Sequence, residues 1–222
     1  MLIPGAGGSA FYWHLVVPRL QAHGHDVVAV ELPAADESAG LEAYTTTVVE
    51  ATGDRSDLVI VAQSLGGFTG PLVCERIPVR LLVLLNAMVP SPGETAGDWW
   101  TNTRHAAARQ AQAARAGRTV GGKDDIVDAF FHDVPPEVKA AVFARGEPAQ
   151  SSRIFEDPWP LAAWPDVETR LLQGRDDRFF PVEFQRRIAR ERLCMVPEEI
   201  PGGHLLALSQ PTLLAERLHA FV

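Results

Sequence analysis

Short runs of β-type residues alternate with longer stretches of helical periodicity along this chain. Residues 26–30, 58–62, 80–85, 169–173 and 193–198 read as buried strands, and helices are predicted over 12–23, 41–51, 65–76, 182–191 and 211–221. Parallel strands need a long crossover between them, usually a helix. The alternation therefore predicts a single α/β domain over residues 1–222, built on a mostly parallel sheet flanked by helices. Pro18 falls inside the first helical segment and predicts an irregular turn there. The sharpest change from strand to helix lies in Ile60-Val61-Ala62-Gln63-Ser64-Leu65-Gly66-Gly67, where an apolar run breaks at a serine among small residues. A turn this tight strains the serine backbone and puts the hydroxyl at its tip, while small neighbours let strand and helix approach closely. A serine that merely caps the following helix is the plainer reading of the same residues.

Between Ser91-Pro92-Gly93 and Pro158-Trp159-Pro160 the strand pattern stops, and residues 91–160 read as a helical cap inserted into the domain. Residues 106–116 are rich in alanine and arginine and end before Gly117. Asp124 and Asp125 sit where a first helical turn favours negative charge, and Pro135-Pro136-Glu137 opens a third segment that closes at Gly146. Trp99, Trp100, Phe130, Phe131, Phe143, Trp159 and Trp164 gather here; they are expected to pack the cap onto the core, some of them lining an apolar pocket.

With 222 residues, 46% of them hydrophobic, the chain can bury one substantial core but would be cramped as two domains. A formal net charge of −8, without any basic run, argues against nucleic acid or an anionic membrane surface as partner. The two cysteines, Cys74 and Cys194, have no metal-ligand company and suit a reduced compartment better than a disulfide scaffold. His23-Gly24-His25 likewise lacks a Cys or carboxylate cluster beside it. The start, Met1-Leu2-Ile3-Pro4-Gly5, resembles neither a signal peptide nor a membrane span of about 20 residues, so a soluble cytoplasmic protein is expected. Only three residues precede the first glycine loop's Pro4, which makes the first strand very short and leaves room for an upstream segment.

A serine hydroxyl is a poor nucleophile until a histidine accepts its proton, and the imidazole needs a carboxylate to fix its tautomer and stabilise its charged form. Two late loops offer these groups: Gly174-Arg175-Asp176-Asp177-Arg178-Phe179-Phe180-Pro181 and Pro201-Gly202-Gly203-His204. The other histidines, His14, His23, His25, His105, His132 and His219, fall in helices or turns and are expected to pack or face solvent. An oxyanion would need backbone N–H donors. Leu65, just after the serine, supplies one; the loop Pro4-Gly5-Ala6-Gly7-Gly8 supplies the other, through Ala6. That loop has neither the Gly-Lys-Ser/Thr ending of a P-loop nor the dinucleotide spacing.

Serine, acid and histidine in this chain order, with a glycine loop after the first strand, resemble the α/β-hydrolase superfamily over essentially the whole length. Within it the chain is most similar to the plant-type methylesterase and hydroxynitrile lyase group and its bacterial relatives. The residues that carry this likeness are Gly5-Ala6 followed by Trp13 and Leu15, Gly24-His25, Ser64-Leu65-Gly66-Gly67, Asn86-Ala87-Met88-Val89-Pro90, Phe130-Phe131 and Glu183-Phe184-Gln185-Arg186. The superfamily's spacing, three residues after the turn glycine and four before the proline, favours Asp177 as the acid; Asp176 is then a solvated turn residue, paired with Arg175 or Arg178. In some relatives the acid follows the preceding strand, but Leu85-Asn86-Ala87 offers no carboxylate there.

The group usually has His-Gly where this chain has Pro4-Gly5, and Gly-His-Ser where it has Ala62-Gln63-Ser64; Ala62 departs by a single methyl. Its lyase members carry threonine at the Gly5 position and lysine after the catalytic histidine, where this chain has Leu205. The resemblance thus implies hydrolysis of a small, largely apolar carboxylic ester by Ser64, His204 and Asp177, with Ala6 and Leu65 holding the oxyanion and no metal or organic cofactor. A cyanohydrin-cleaving lyase on the same triad and a ligand-binding sensor with a vestigial triad are the rival readings.

Overall fold

The computed structural model describes residues 1–222, all but the side chain of Lys123. Strands β1 (Leu2–Ile3), β2 (Leu58–Gln63), β3 (Val79–Leu85), β4 (Glu168–Gly174) and β5 (Glu198–Ile200) form one sheet in that order, each parallel to the next. The helices are α1 (Val17–Ala22), α2 (Leu41–Thr52), α3 (Gly66–Arg76), α4 (Ala96–Asn102), α5 (His105–Arg115), α6 (Gly122–Phe131), α7 (Pro136–Phe143), α8 (Val182–Leu193), α9 (Leu206–Ser209) and α10 (Pro211–Ala220). The parallel sheet flanked by helices that the alternation predicts is present.

Side chains alternate across a strand, and β3 divides its residues between two cores. Leu82 and Leu84 join Ile60 and Ala62 of β2, Phe68 of α3 and Ile188 of α8 on one face. Leu81, Val83 and Leu85 join Trp13, Leu20 of α1 and Leu214 and Leu218 of α10 on the other. Burial on both faces is why β2 and β3 are continuous apolar runs rather than alternating ones. The methyl of Ala62 has room because α3 presents Gly70 to it: a Cβ on Gly70 would lie 2.9 Å from Ala62 Cβ. A larger residue at either position would push strand and helix apart.

Three local expectations are corrected. Residues 26–30 form no ladder; they make one isolated parallel bridge, Leu2↔Ala29, with Leu2 N–H donating to Val28 O (2.8 Å) and Val30 N–H to Leu2 O (3.0 Å). Their partner β1 is two residues long and offers nothing more to pair with. The run 193–198 is not a buried strand either. Leu193 completes α8, Cys194 ends that helix in a left-handed conformation (φ 54°), Val196 is 84% exposed, and pairing with β4 begins only at Glu198. The segment 12–23 divides into a 3-10 turn, Ala10–Trp13, and α1, with Pro18 in the first turn of α1, where its missing N–H has no intrahelical partner to lose.

Between β3 and β4 the chain builds α4 to α7. This insert leaves and rejoins the domain side by side: Gly93 N–H donates to Trp159 O (3.0 Å) and Trp159 N–H to Glu94 O (2.9 Å), beside an antiparallel bridge between Thr95 and Pro158. Trp99 and Trp159 are buried, and their indole N–H groups donate to Val89 O (3.0 Å) and Phe68 O (3.2 Å), so these rings anchor insert to core. Phe131 and Phe143 meet edge to face further out, and Phe143 stays exposed.

Candidate active site

At the end of β2 the backbone turns sharply through Ser64, whose φ of 51° lies in the left-handed region that costs a non-glycine residue about 1–3 kcal/mol. Backbone hydrogen bonds hold it there. Ser64 N–H donates to Leu85 O (3.2 Å), while Ser64 O accepts from Gly67 N–H (3.0 Å) and Met88 N–H (2.9 Å). The hydroxyl is thereby left free of structural duty.

The structure brings Ser64, His204 and Asp177 together. His204 Nε2 lies 3.1 Å from Ser64 Oγ, and His204 Nδ1 lies 2.8 Å from Asp177 Oδ2. Since a carboxylate only accepts, Nδ1 carries the proton, and Nε2 is left to accept one from the serine. Asp177 Oδ1 in turn accepts from the N–H groups of Phe179 and Phe180, both at 2.7 Å. His204 and Asp177 are 0% exposed and Ser64 8%, so the serine is the member that solvent or a substrate can reach. Phe130 of α6, Phe179 and Phe180 meet the imidazole edge-on at centroid distances of 5.1, 5.1 and 4.9 Å. Of the aromatics concentrated in the insert, Phe130 is thus one that reaches the site.

Asp176 is not the surface partner of an arginine. Its Oδ2 accepts from Gly202 N–H (3.0 Å) and its own N–H donates to Gly202 O (3.0 Å), which ties the acid turn to the histidine loop. Arg178 instead pairs with Asp128 of α6 at 2.7 Å. Asn86, which enters the sequence reading only as part of the family likeness and with no role of its own, is a three-way staple between the same loops. Its Nδ2 donates to Gly203 O (3.0 Å) and His204 O (2.9 Å), and its Oδ1 accepts from Gly174 N–H (2.7 Å). The sequence signal for it is an asparagine directly after a strand, a residue that tolerates the left-handed region better than most, and Asn86 adopts that region with φ 44°.

Side chains of the insert also reach the histidine loop and the glycine loop. Asp133 Oδ2 accepts from Gly203 N–H (2.6 Å), next to His204, and Gln150 Oε1 accepts from Gly7 N–H (2.7 Å) in the glycine loop. Gly8 N–H donates to Gly5 O (3.1 Å). Among the described residues the amides of Ala6 and Leu65 donate to nothing, and Leu65 is the residue from which α3 starts. Those are the two N–H groups that the sequence nominates for an oxyanion.

His105 of α5 is buried among Trp99, Trp100, Phe179, Phe180 and Phe184, and its Nε2 donates to Phe179 O (2.7 Å). Burial pushes its pKa down to about 4, against the raising effect of that hydrogen bond. The neutral ring therefore stabilises the fold fully above the ordinary histidine value near 6.5, and this is lost as pH falls from about 6.5 towards 4, by up to about 3 kcal/mol. We expect urea unfolding of wild type to show that loss relative to His105→Gln, which has no group to titrate; parallel pH dependence of the two proteins would refute it.

His23 and His25 come together with His219: His23 stacks on it at 4.3 Å, and His25 Nε2 lies 2.9 Å from His219 Nδ1. Among the described residues no group of three or more His, Cys, Asp or Glu side chains is placed to hold a metal ion, and no helix is long and apolar enough to cross a membrane.

Residues 1–217 match the family described as the alpha/beta hydrolase family. A probable esterase of rice, PIR7A of Oryza sativa subsp. indica, is 27% identical over an alignment that takes in 98% of this chain and 94% of its own. The crystal structure of polyneuridine aldehyde esterase superposes with a TM-score of 0.78 at 21% identity, covering 99% of this chain and 97% of that one. A pyrethroid hydrolase from Sphingobium faniae JZ-2 does so with a TM-score of 0.76 at 23% identity, covering 99% and 95%.

Proposed function

This chain belongs to the alpha/beta hydrolase family, and from that premise we propose that it is an esterase acting on small, largely apolar carboxylic esters through an acyl-enzyme on Ser64. The observation that carries the reading is the continuous chain of hydrogen bonds from Ser64 Oγ through His204 to Asp177, in which only the serine is accessible. Ser64 Oγ attacks the ester carbonyl as His204 Nε2 takes its proton. The negative charge on the former carbonyl oxygen is held by the free amides of Ala6 and Leu65, and Asp177 stabilises the imidazolium. His204 then returns the proton to the departing alkoxide. Water, deprotonated by the same nitrogen, attacks the acyl carbon, and as the bond to Ser64 Oγ breaks Nε2 returns the proton to Oγ, which releases the acid and restores the serine.

Relatives named as esterases and as a pyrethroid hydrolase support ester cleavage, and the phenylalanines around His204 support an apolar substrate. The space at Gly5 speaks against the lyase reading. A Cβ there would lie 2.8 Å from Ser64 Cβ and 2.5 Å from Gln63 Oε1, so the backbone as it stands has no room for the threonine of the lyases. Hydrolysis of p-nitrophenyl butyrate should run well above the buffer rate and be abolished by a fluorophosphonate, which should label the peptide containing Ser64. Labelling elsewhere, with turnover no faster than buffer, would remove the esterase reading.

A further inference from the structure

Three donors on one face of α5 are aimed at three consecutive carbonyls of the acid turn. Gln112 Nε2 donates to Asp177 O (2.8 Å), Arg109 Nε faces Arg178 O (3.4 Å), and His105 Nε2 donates to Phe179 O (2.7 Å). The helical spacing of these residues, four and then three apart, places them along a single stripe. Arg109 and Asp125 of α6 form an ion pair at 2.9 Å with both side chains nearly buried, so α5 is itself fixed within the insert.

The carbonyl of Arg178 and the N–H of Phe179 belong to one planar peptide, as do the carbonyl of Phe179 and the N–H of Phe180. Those two N–H groups are the donors to Asp177 Oδ1. Each peptide is thus gripped at its oxygen by α5 and at its nitrogen by the carboxylate, and a peptide polarised at its oxygen is a stronger donor at its nitrogen. One rigid unit separates His105, or Arg109, from the acid. Gln112 holds the carbonyl of Asp177 itself.

We propose that α5 positions the acid of the triad, with Gln112, Arg109 and His105 as positioning residues that fix the Asp177 carboxylate against His204; this deepens the hydrolase reading and rests on it. The insert then does more than cover the site. It sets the orientation of the acid, and the fidelity of the triad depends on a helix more than sixty residues away in the sequence.

The test uses the full chain with Gln112→Met, which keeps length and removes the donor at a partly exposed position, together with His105→Leu and the donor-retaining His105→Gln. In ester hydrolysis we expect kcat to fall about tenfold in Gln112→Met and His105→Leu with KM little changed, and His105→Gln to recover most of it. The acidic limb of the kcat/KM profile should move to lower pH in the donor-less variants, because a displaced carboxylate stabilises the His204 imidazolium less. Unchanged kcat and an unmoved limb, with only thermal stability reduced, would overturn the proposal and leave α5 a packing element. If wild type hydrolyses no ester, the hydrolase reading itself fails. The clamp is then judged on the proton resonance of His204 Nδ1–H, which moves upfield or broadens in Gln112→Met if α5 positions Asp177 and stays put if it does not.

Discussion

Replacing Ser64 with alanine is expected to lower kcat for p-nitrophenyl butyrate by on the order of 10^6-fold, the scale measured when the serine is removed from a subtilisin-type triad. The loss is predicted to be chemical rather than structural. Ser64 is held by its backbone, through Leu85 O and the amides of Gly67 and Met88, and its Oγ has His204 as its hydrogen-bond partner. Circular dichroism and the melting temperature should therefore match wild type. The loss should also be non-additive: once the serine is gone His204 has no proton to accept, so adding His204→Ala to Ser64→Ala should cost little more. Residual activity within about tenfold of wild type would mean that water is activated directly by His204 with no acyl-enzyme. A double variant far below the single one would point the same way.

The parts of this architecture that could be read from the sequence are those encoded locally. A strand buried on both faces, a serine between small residues and an immediate helix specify the turn at Ser64, because each choice concerns neighbours in the chain. Chain order and glycine loops nominate His204 and the pair Asp176 and Asp177; only the superfamily's spacing, carried by the resemblance, favours Asp177, which the structure sets 2.8 Å from His204. Pairing was less legible. Residues 26–30 and 193–198 have the composition of strands, yet the first has only the two-residue β1 to pair with, and the start of the second is taken by the end of α8 and the left-handed Cys194, so that pairing with β4 begins only at Glu198. Least legible were the polar side chains that brace the loops. Asn86 reaches Gly203 and His204 across more than a hundred residues, Gln150 reaches Gly7, and Asp133 reaches Gly203. In the sequence such residues look like ordinary surface or turn residues, since their role is created by tertiary neighbours. The substitution of Ala62 for glycine has the same character: it is harmless because of Gly70, in the next element.

Asp177→Asn is expected to lower kcat about 10^4-fold near neutral pH, as the equivalent change does in chymotrypsin-type enzymes, while Asp176→Asn retains most activity. The geometry dictates how the asparagine must sit. Oδ1 of Asp177 receives two N–H donors, from Phe179 and Phe180, each at 2.7 Å, and only an oxygen can occupy that position. The amide NH2 is then forced into the place of Oδ2, 2.8 Å from His204 Nδ1 and 3.4 Å from the Gln173 amide nitrogen. It can only donate there. His204 must accept at Nδ1, carry its proton at Nε2, and present a donor to Ser64 where the mechanism needs an acceptor. Asp176 faces the opposite demand: its Oδ2 accepts a single N–H from Gly202, which an asparagine oxygen can do equally well, so the tie between the acid turn and the histidine loop survives. Steady-state kinetics on the two variants, side by side at pH 7 to 8, decide the assignment. Activity lost in Asp176→Asn and retained in Asp177→Asn would reverse the roles of the two aspartates, and equal losses in both would mean that the coupling of the two loops, rather than the tautomer of His204, limits the reaction.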